Sequence, residues 1–319
     1  MKNSTPLILS ADIGGTNTRL ALLDGTALRA QTVSRFENAT SSGLEDILAR
    51  YLAAQGIDAP DAVSLALAGP VDGDHGRLTN LDWNITTDGA SEATGGATAF
   101  LLNDLQAQGH ALPFLGSDSF KTVQSAPEGP KGASSLMIGL GTGLNVAPVH
   151  QVAGRTFVPP AEAGHIDFNL QDDGMAALKA DLEARLGHVA AEDILSGRGI
   201  ERAYRSLVGG HSIPSHDVMG LVETGDKTAV EAIGLLVRTL GHFAGDMALT
   251  HLPRGGIYLV GGVSRALRPY FDEQGFTRCF AAKGRFSEFM AQFSVYIVED
   301  DYAALIGCAS YAQEQLDAR

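Results

Sequence analysis

Two cysteines, one tryptophan and only 23 basic side chains are what this 319-residue chain has little of. Cys279 and Cys308 form no C-x-x-C pair, which excludes a cysteine-rich zinc site and a dithiol redox motif and suits a reducing compartment. The 23 Lys and Arg stand against 37 Asp and Glu, a net charge of −14. Such a surface repels phosphate backbones and anionic lipid, so neither a nucleic acid nor a membrane is an expected partner. Long apolar runs are missing too. Near the start there is only Leu7-Ile8-Leu9, short of the roughly 7–15 residues of a secretory signal. The longest charge-free stretch, residues 132–154, is broken by Ser, Thr, Asn, His, Gln, Pro148 and several glycines, and cannot face lipid as a helix. The expectation is a soluble, cytoplasmic protein. Low-complexity tracts are absent as well. What remains, 45% hydrophobic and 19% charged residues, is an ordinary globular mix, and the length fits about two domains. Glycine is the excess: 38 residues, about 12% against a usual ~7%, which points to tight turns and to loops where backbone approaches a ligand.

The apolar pattern reads as alternating strands and helices. Leu7 to Ile13 is a strand that runs into Gly14-Gly15-Thr16-Asn17; Arg19 to Leu23 returns, Asp24-Gly25 is a hairpin turn, and Leu28 to Ser34 is the expected third strand. Leu44, Ile47, Leu48, Tyr51 and Leu52 share one helical face, with Ser41 or Ser42 as cap and Gly56 as terminator. Ala62 to Leu67 and Ala99 to Leu102 are short buried strands, the second delivering Asn103 and Asp104. The second half repeats the opening. Ser135 to Ile138 runs into Gly139-Leu140-Gly141-Thr142-Gly143, and Leu144 to Val149 runs back. Helical pattern fills 174–186 and 228–251, strands follow at 256–260 and 295–298, and a terminal helix starts near Tyr302. The class is α/β with two related lobes.

Four groups of residues can carry chemistry. In Asp12-Ile13-Gly14-Gly15-Thr16-Asn17, glycines after a strand let backbone N–H groups face a phosphate, and Thr16 and Asn17 add neutral donors. Asp12 has no use for phosphate itself but suits a water-bridged magnesium ion. Gly141, Thr142 and Gly143 form a second such loop, which is neither a Rossmann nor a Walker motif. Either loop could also be a plain glycine-rich turn. Asn103-Asp104 ends an apolar strand, where ligands of open α/β sheets bind; Asp104 could accept a proton from a hydroxyl, or the pair could simply cap the next helix. Glu162-x-x-His165-x-Asp167, beside Pro159-Pro160, has too few ligands for a metal site, and suits polyhydroxyl recognition or a solvated loop. Glu192, before Ile194-Leu195-Ser196-Gly197, is a weaker candidate of the same kind.

Taken together these pieces resemble the bacterial ATP-dependent glucokinase family. The matching stretches are ADIGGTNTRLAL (11–22), LALAGPVDGD (65–74), LTNLDWNI (78–85), LLNDLQA (101–107), IGLGTGLNVA (138–147), EAGHIDF (162–168), EDILSGRGI (192–200), GGIYLVGGV (255–263) and KGRF (283–286), in order along almost the whole chain. The resemblance implies a two-lobed actin-like (ribonuclease H-like) ATPase fold with a cleft between a small lobe, residues 5–113 completed by a terminal helix at 304–319, and a larger lobe, 114–303. It implies transfer of the ATP γ-phosphoryl group to the 6-hydroxyl of glucose, with magnesium, in a cytoplasmic, glycolytic homodimer. Asp104 is then the general base; Asn103, Asp104, Glu162, His165 and Glu192 bind glucose. Gly14, Gly15, Thr16, Asn17, Gly141, Thr142 and Gly143 cradle the ATP phosphates, Gly261 and Gly262 lie near the nucleoside, and Asp12 supports magnesium. Three residues depart from the family pattern: Ala161, Ala163 and Asn145 stand where glycine is usual. A kinase for another hexose, or an inactive sugar sensor on the same fold, are the alternatives. An actin-like filament protein would not need Glu162, His165 or the Asn-Asp pair.

Overall fold

The computed structural model describes residues 5–78, 81–167 and 173–318. Thr79 and Asn80 of the third matching stretch and Phe168 of the sixth lie outside the described residues. The chain forms two compact units: Met1–Ser117 with Val152–Pro160 and Asp300–Arg319, and Asp118–Gln151 with Ala161–Glu299.

In the first unit, strand Leu7–Ile13 pairs antiparallel with Asn17–Asp24 and parallel with Ala62–Leu67, which in turn pairs parallel with Thr98–Asn103. Side chains alternate across a strand, and the numbering shows both faces filled. Leu9, Ala11, Ile13, Leu20, Leu22, Val63, Leu65 and Leu67 pack with Leu44, Ile47, Leu48, Tyr51 and Leu52 of helix Leu44–Gln55. Ile8, Ala21, Leu23 and Ala62 face the other way, onto Leu305, Ala309 and Ala312 of helix Ala303–Asp317. A sheet covered on both faces needs unbroken apolar strands, which is why all of Ala62–Leu67 is buried. The terminal helix also crosses helix Asp104–Ala111. At Gly307 a Cβ would strike the Ala107 carbonyl, so glycine sets how closely the two helices approach.

Two expectations are corrected here. The third strand is not continuous from Leu28 to Ser34: it is split into Ala27–Leu28 and Ser34–Glu37 by a 3-10 turn at Ala30–Thr32. Arg29 is pulled back to Asp24 through two hydrogen bonds at 2.9 and 2.6 Å, and the Thr32 hydroxyl donates to the Arg29 carbonyl at 2.7 Å, which closes the turn. Neither Ser41 nor Ser42 caps helix Leu44–Gln55; its N-cap is Gly43, with no side-chain bond, while Gly56 ends it in the left-handed region at φ 67°.

The second unit repeats the plan. Ser135–Leu140 pairs antiparallel with Leu144–Val152 and parallel with Ile257–Val260, which pairs parallel with Val295–Val298. Its core is dominated by the 25-residue helix Lys227–His251. Gly241 and Gly245 let that helix lie against the backbone of Phe276–Ala281, where a Cβ would meet the carbonyls of Phe276 and Phe280. Ala161 and Ala163 pack against this same core, so their methyl groups have an apolar place to go. Among the described residues, no helix is long and apolar enough to cross a membrane.

Candidate active site

In the first unit the sheet brings Asp12 and Asp104 together from the ends of parallel strands. Asp12 sits beside Ala66, and Leu67 beside Asn103, in consecutive pairings. Asn103 is the N-cap of helix Asp104–Ala111: its Oδ1 accepts from the Leu105 N–H at 3.0 Å, and Gln106 Oε1 accepts from the Asn103 N–H at 3.3 Å. Its Nδ2 donates to the Gly69 carbonyl at 3.1 Å. The helix-cap reading of Asn103 is therefore correct, and the same amide also donates to the Asp104 carboxylate. Asp104 Oδ1 accepts from the Leu105 N–H at 2.7 Å.

Burial raises the Asp104 pKa to about 7, and the nearby Asp12 charge adds to the rise; the donors from Leu105, Asn103 and its own backbone oppose it without cancelling it. Asp12 is raised in turn by burial, with the Arg19 guanidinium, its cross-strand neighbour, pulling the other way. A carboxyl with a pKa near neutral accepts a proton at physiological pH and does so without being a spent base. Two desolvated carboxylates with little positive charge between them also form a donor set that suits a hard divalent cation arriving with its own waters and phosphate ligands. Among the described residues there is no cluster of three or more His, Cys, Asp or Glu that could hold a metal unaided.

The first glycine loop is braced by a residue that no motif singles out. The Gly14 N–H donates to the Asn17 carbonyl at 3.0 Å, closing the turn. Buried Asn38 donates through Nδ2 to the Gly14 carbonyl at 2.8 Å, through its N–H to the Thr16 carbonyl at 2.9 Å, and accepts from the Thr18 hydroxyl at 2.8 Å. With the carbonyls turned onto Asn38, Gly15 and exposed Thr16 remain at the tip. A lone asparagine after a strand carries no motif, so no sequence signal pointed to it.

In the second unit, Gly141, Thr142 and Gly143 form the corresponding turn, with the Gly141 N–H on the Gly143 carbonyl at 2.9 Å and the Gly197 N–H on the Gly141 carbonyl at 2.9 Å. Glu192 lies against it. Its Oε2 accepts from the Leu144 N–H at 3.1 Å and its Oε1 from Arg198 Nη2 at 3.4 Å, and a Cβ at Gly143 would run into this carboxylate. Glu192 is thus engaged with the loop's own backbone as well as being a sugar-binding candidate. Gly261, at φ 101°, abuts the Leu140 backbone that leads into the loop, leaving no room for a Cβ, and Gly262 opens the next helix.

Glu162 precedes the 3-10 turn Ala163–His165, and the His165 N–H donates to the Glu162 carbonyl at 3.1 Å. The following residues are tied to the Glu192 segment: Asp167 bridges Ala190, and the Ala191 N–H donates to the Ile166 carbonyl at 3.1 Å. Glu162 and Glu192 accordingly belong to neighbouring segments of one unit, and exposed His165 flanks them. Asp167 itself points into solvent and pairs with His188 at 3.4 Å.

Comparison with known proteins gives a consistent result. A family model described as Glucokinase matches residues 9–315. A glucokinase of Saccharophagus degradans is 31% identical over 314 residues, covering 95% of this chain and 97% of the relative. A glucokinase of a Chelativorans species is 33% identical over 314 residues, covering 96% and 91%. The crystal structure of a glucokinase from an Antarctic psychrotroph superposes with a TM-score of 0.85 at 28% identity, over 97% of this chain and 99% of that one.

Proposed function

The chain belongs to the glucokinase family, and from that premise we propose that it transfers the γ-phosphoryl group of ATP to the 6-hydroxyl of glucose, with Asp104 as general base. Its α/β fold is that of the actin-like sugar kinases. The observation that carries the assignment of the base is the carboxyl of Asp104, desolvated and poised near 7 at the end of a parallel strand. Phosphoryl transfer asks for positioning and charge neutralisation more than covalent chemistry. Asp104 takes the hydroxyl proton as the new bond forms, assistance worth on the order of 10²–10⁴ in rate, or roughly 3–5 kcal/mol.

The remaining roles follow from chemistry and placement. The two glycine loops, Gly14, Gly15, Thr16 and Asn17 in one and Gly141, Thr142 and Gly143 in the other, cradle the phosphates, the Gly14 and Gly141 N–H groups closing the turns rather than facing the ligand, and Gly261 and Gly262 lie near the nucleoside. Asp12 holds magnesium through water; when bound, the metal neutralises phosphate charge. The side chain of Asn103, the carboxylates of Glu162 and Glu192 and the imidazole of His165 bind sugar hydroxyls. The protein works in the cytoplasm as a homodimer. An ADP-coupled assay with magnesium, ATP and a panel of hexoses tests the reading. Glucose should give the highest kcat/KM; a different preferred hexose makes the chain a kinase for that sugar, and turnover of none makes it a sensor. Sedimentation equilibrium at twice the chain mass, 33.4 kDa, tests the dimer.

A further inference from the structure

One amide holds the segment that carries Glu162. Asn145 Nδ2 donates to the Ala161 carbonyl at 2.6 Å, and Asn145 Oδ1 accepts from the Ala163 N–H at 3.0 Å. These two bonds fall on the residues immediately before and after Glu162, a carbonyl and an N–H, as a neighbouring strand would grip a residue between them. Its own turn holds Glu162 by the carbonyl, which accepts from the His165 N–H, but the residue lies outside the helical region at φ −130° and ψ 49° and makes no side-chain cap bond. A third contact, Nδ2 to Glu162 Oε2 at 3.4 Å, touches the carboxylate itself. A fourth, from the Val146 N–H to Asn145 Oδ1 at 2.8 Å, fixes the amide plane. One residue earlier the Leu144 N–H holds Glu192. The two residues leaving the second glycine loop thus secure both carboxylates.

We propose that Asn145 is a positioning residue that sets the direction of the Glu162 carboxylate and thereby the discrimination among hexoses. The proposal rests on the reading of Glu162 as an acceptor for sugar hydroxyls. An acceptor fixed in place rewards the hydroxyl arrangement that meets it and leaves an epimer short of a partner, whereas a loosened one follows either sugar. The neutrality of the amide matters as much as its shape, because a carboxylate at 145 would stand beside that of Glu162.

Steady-state kinetics on Asn145→Ala, Asn145→Asp, Glu162→Gln and the Asn145→Ala/Glu162→Gln double variant test it, with glucose and its epimer mannose. Asn145→Ala should raise the glucose KM roughly tenfold, with kcat and the ATP KM within about threefold, and should shrink the preference for glucose over mannose. Asn145→Asp keeps the size and the acceptor for the Ala163 N–H, yet should be at least as damaging, because it replaces a donor by a like charge. The double variant should lose less than the product of the two single losses, as residues acting through one another do. Full recovery in Asn145→Asp, an unchanged glucose KM in Asn145→Ala, or independent losses in the double variant would each overturn the role of Asn145. A normal glucose KM in Glu162→Gln alone overturns instead the reading of Glu162, and the proposal with it.

Discussion

Replacing Asp104 by Asn should cost activity and gain stability, and the gain should depend on pH. The folded protein holds the Asp104 proton more tightly than the unfolded chain, with a pKa of about 7 against an ordinary value of 3.8. Below 3.8 the carboxyl is protonated in both states and contributes no difference. Between 3.8 and about 7 the folded state binds more protons than the unfolded one, so stability falls as pH rises; above 7 the full penalty of an ionised, desolvated carboxylate is present. At ~1.36 kcal/mol per pH unit that penalty reaches up to about 4 kcal/mol. Asn keeps an oxygen to accept the Leu105 N–H, so the helix start survives. Asp104→Asn should therefore match the parent in urea unfolding at pH 4 and exceed it by a few kcal/mol at pH 8. In the same protein, kcat should drop by on the order of 10² or more, with the glucose KM changed far less. Near-normal kcat would mean Asp104 is not the base. A stability difference that stays flat from pH 4 to 8 would mean its carboxyl is not desolvated as described.

Asp12→Asn removes the like charge beside Asp104, so the acidic limb of the kcat/KM profile should move to lower pH. Catalysis should also weaken while calorimetric glucose binding stays nearly intact; loss of sugar binding would assign Asp12 a different place. Glu162→Gln should raise the glucose KM by the equivalent of roughly 1.5–3 kcal/mol with kcat largely kept, as for a charge-assisted bond made in ground and transition states alike. Asn38→Ala strips the Gly14 carbonyl and the Thr18 hydroxyl of their partner, and urea titration should show a loss of about 1–3 kcal/mol together with a higher ATP KM. An unchanged ATP KM would separate the brace from the phosphate loop.

The parts of this molecule that were readable in advance are those in which one residue's environment repeats along the chain. Ala62 to Leu67 reads as a strand because two covered faces favour small and apolar side chains along its whole length, with buried Ser64 the one polar member. The 44–52 helix reads from one buried stripe, and Gly56 from its left-handed backbone. The glycine loops stand out because turns of that kind tolerate few other residues. Single side chains bonded to distant backbone left no such pattern. Asn38 lies 24 residues from the carbonyl it holds, and Asn145 lies 16 from the one it grips, so neither spacing is periodic. Asn145 showed only as a departure, and its bonds to Ala161 and Ala163 give that departure a physical purpose. The split third strand was hidden for a related reason: the Thr32 hydroxyl accepts from the Leu22 N–H and donates to the Arg29 carbonyl, taking backbone groups that a ladder would use, and hydrophobicity does not record that competition.

The terminal helix has a consequence for how the protein is made. Ile8, Ala21, Leu23 and Ala62 take the buried part of their cover from Leu305, Ala309 and Ala312, with Leu28, Val33 and Phe100 at the margin. On a ribosome adding roughly 5–20 residues per second, the 182 residues between Ser117 and Asp300 impose a wait of about 10–40 s before that cover emerges. During it, one apolar face of the first sheet is bare and adhesive while the whole of Asp118–Glu299 has left the tunnel. A substitution that slows docking of Ala303–Asp317 should therefore lower the yield of soluble protein before it touches the rate of any turnover.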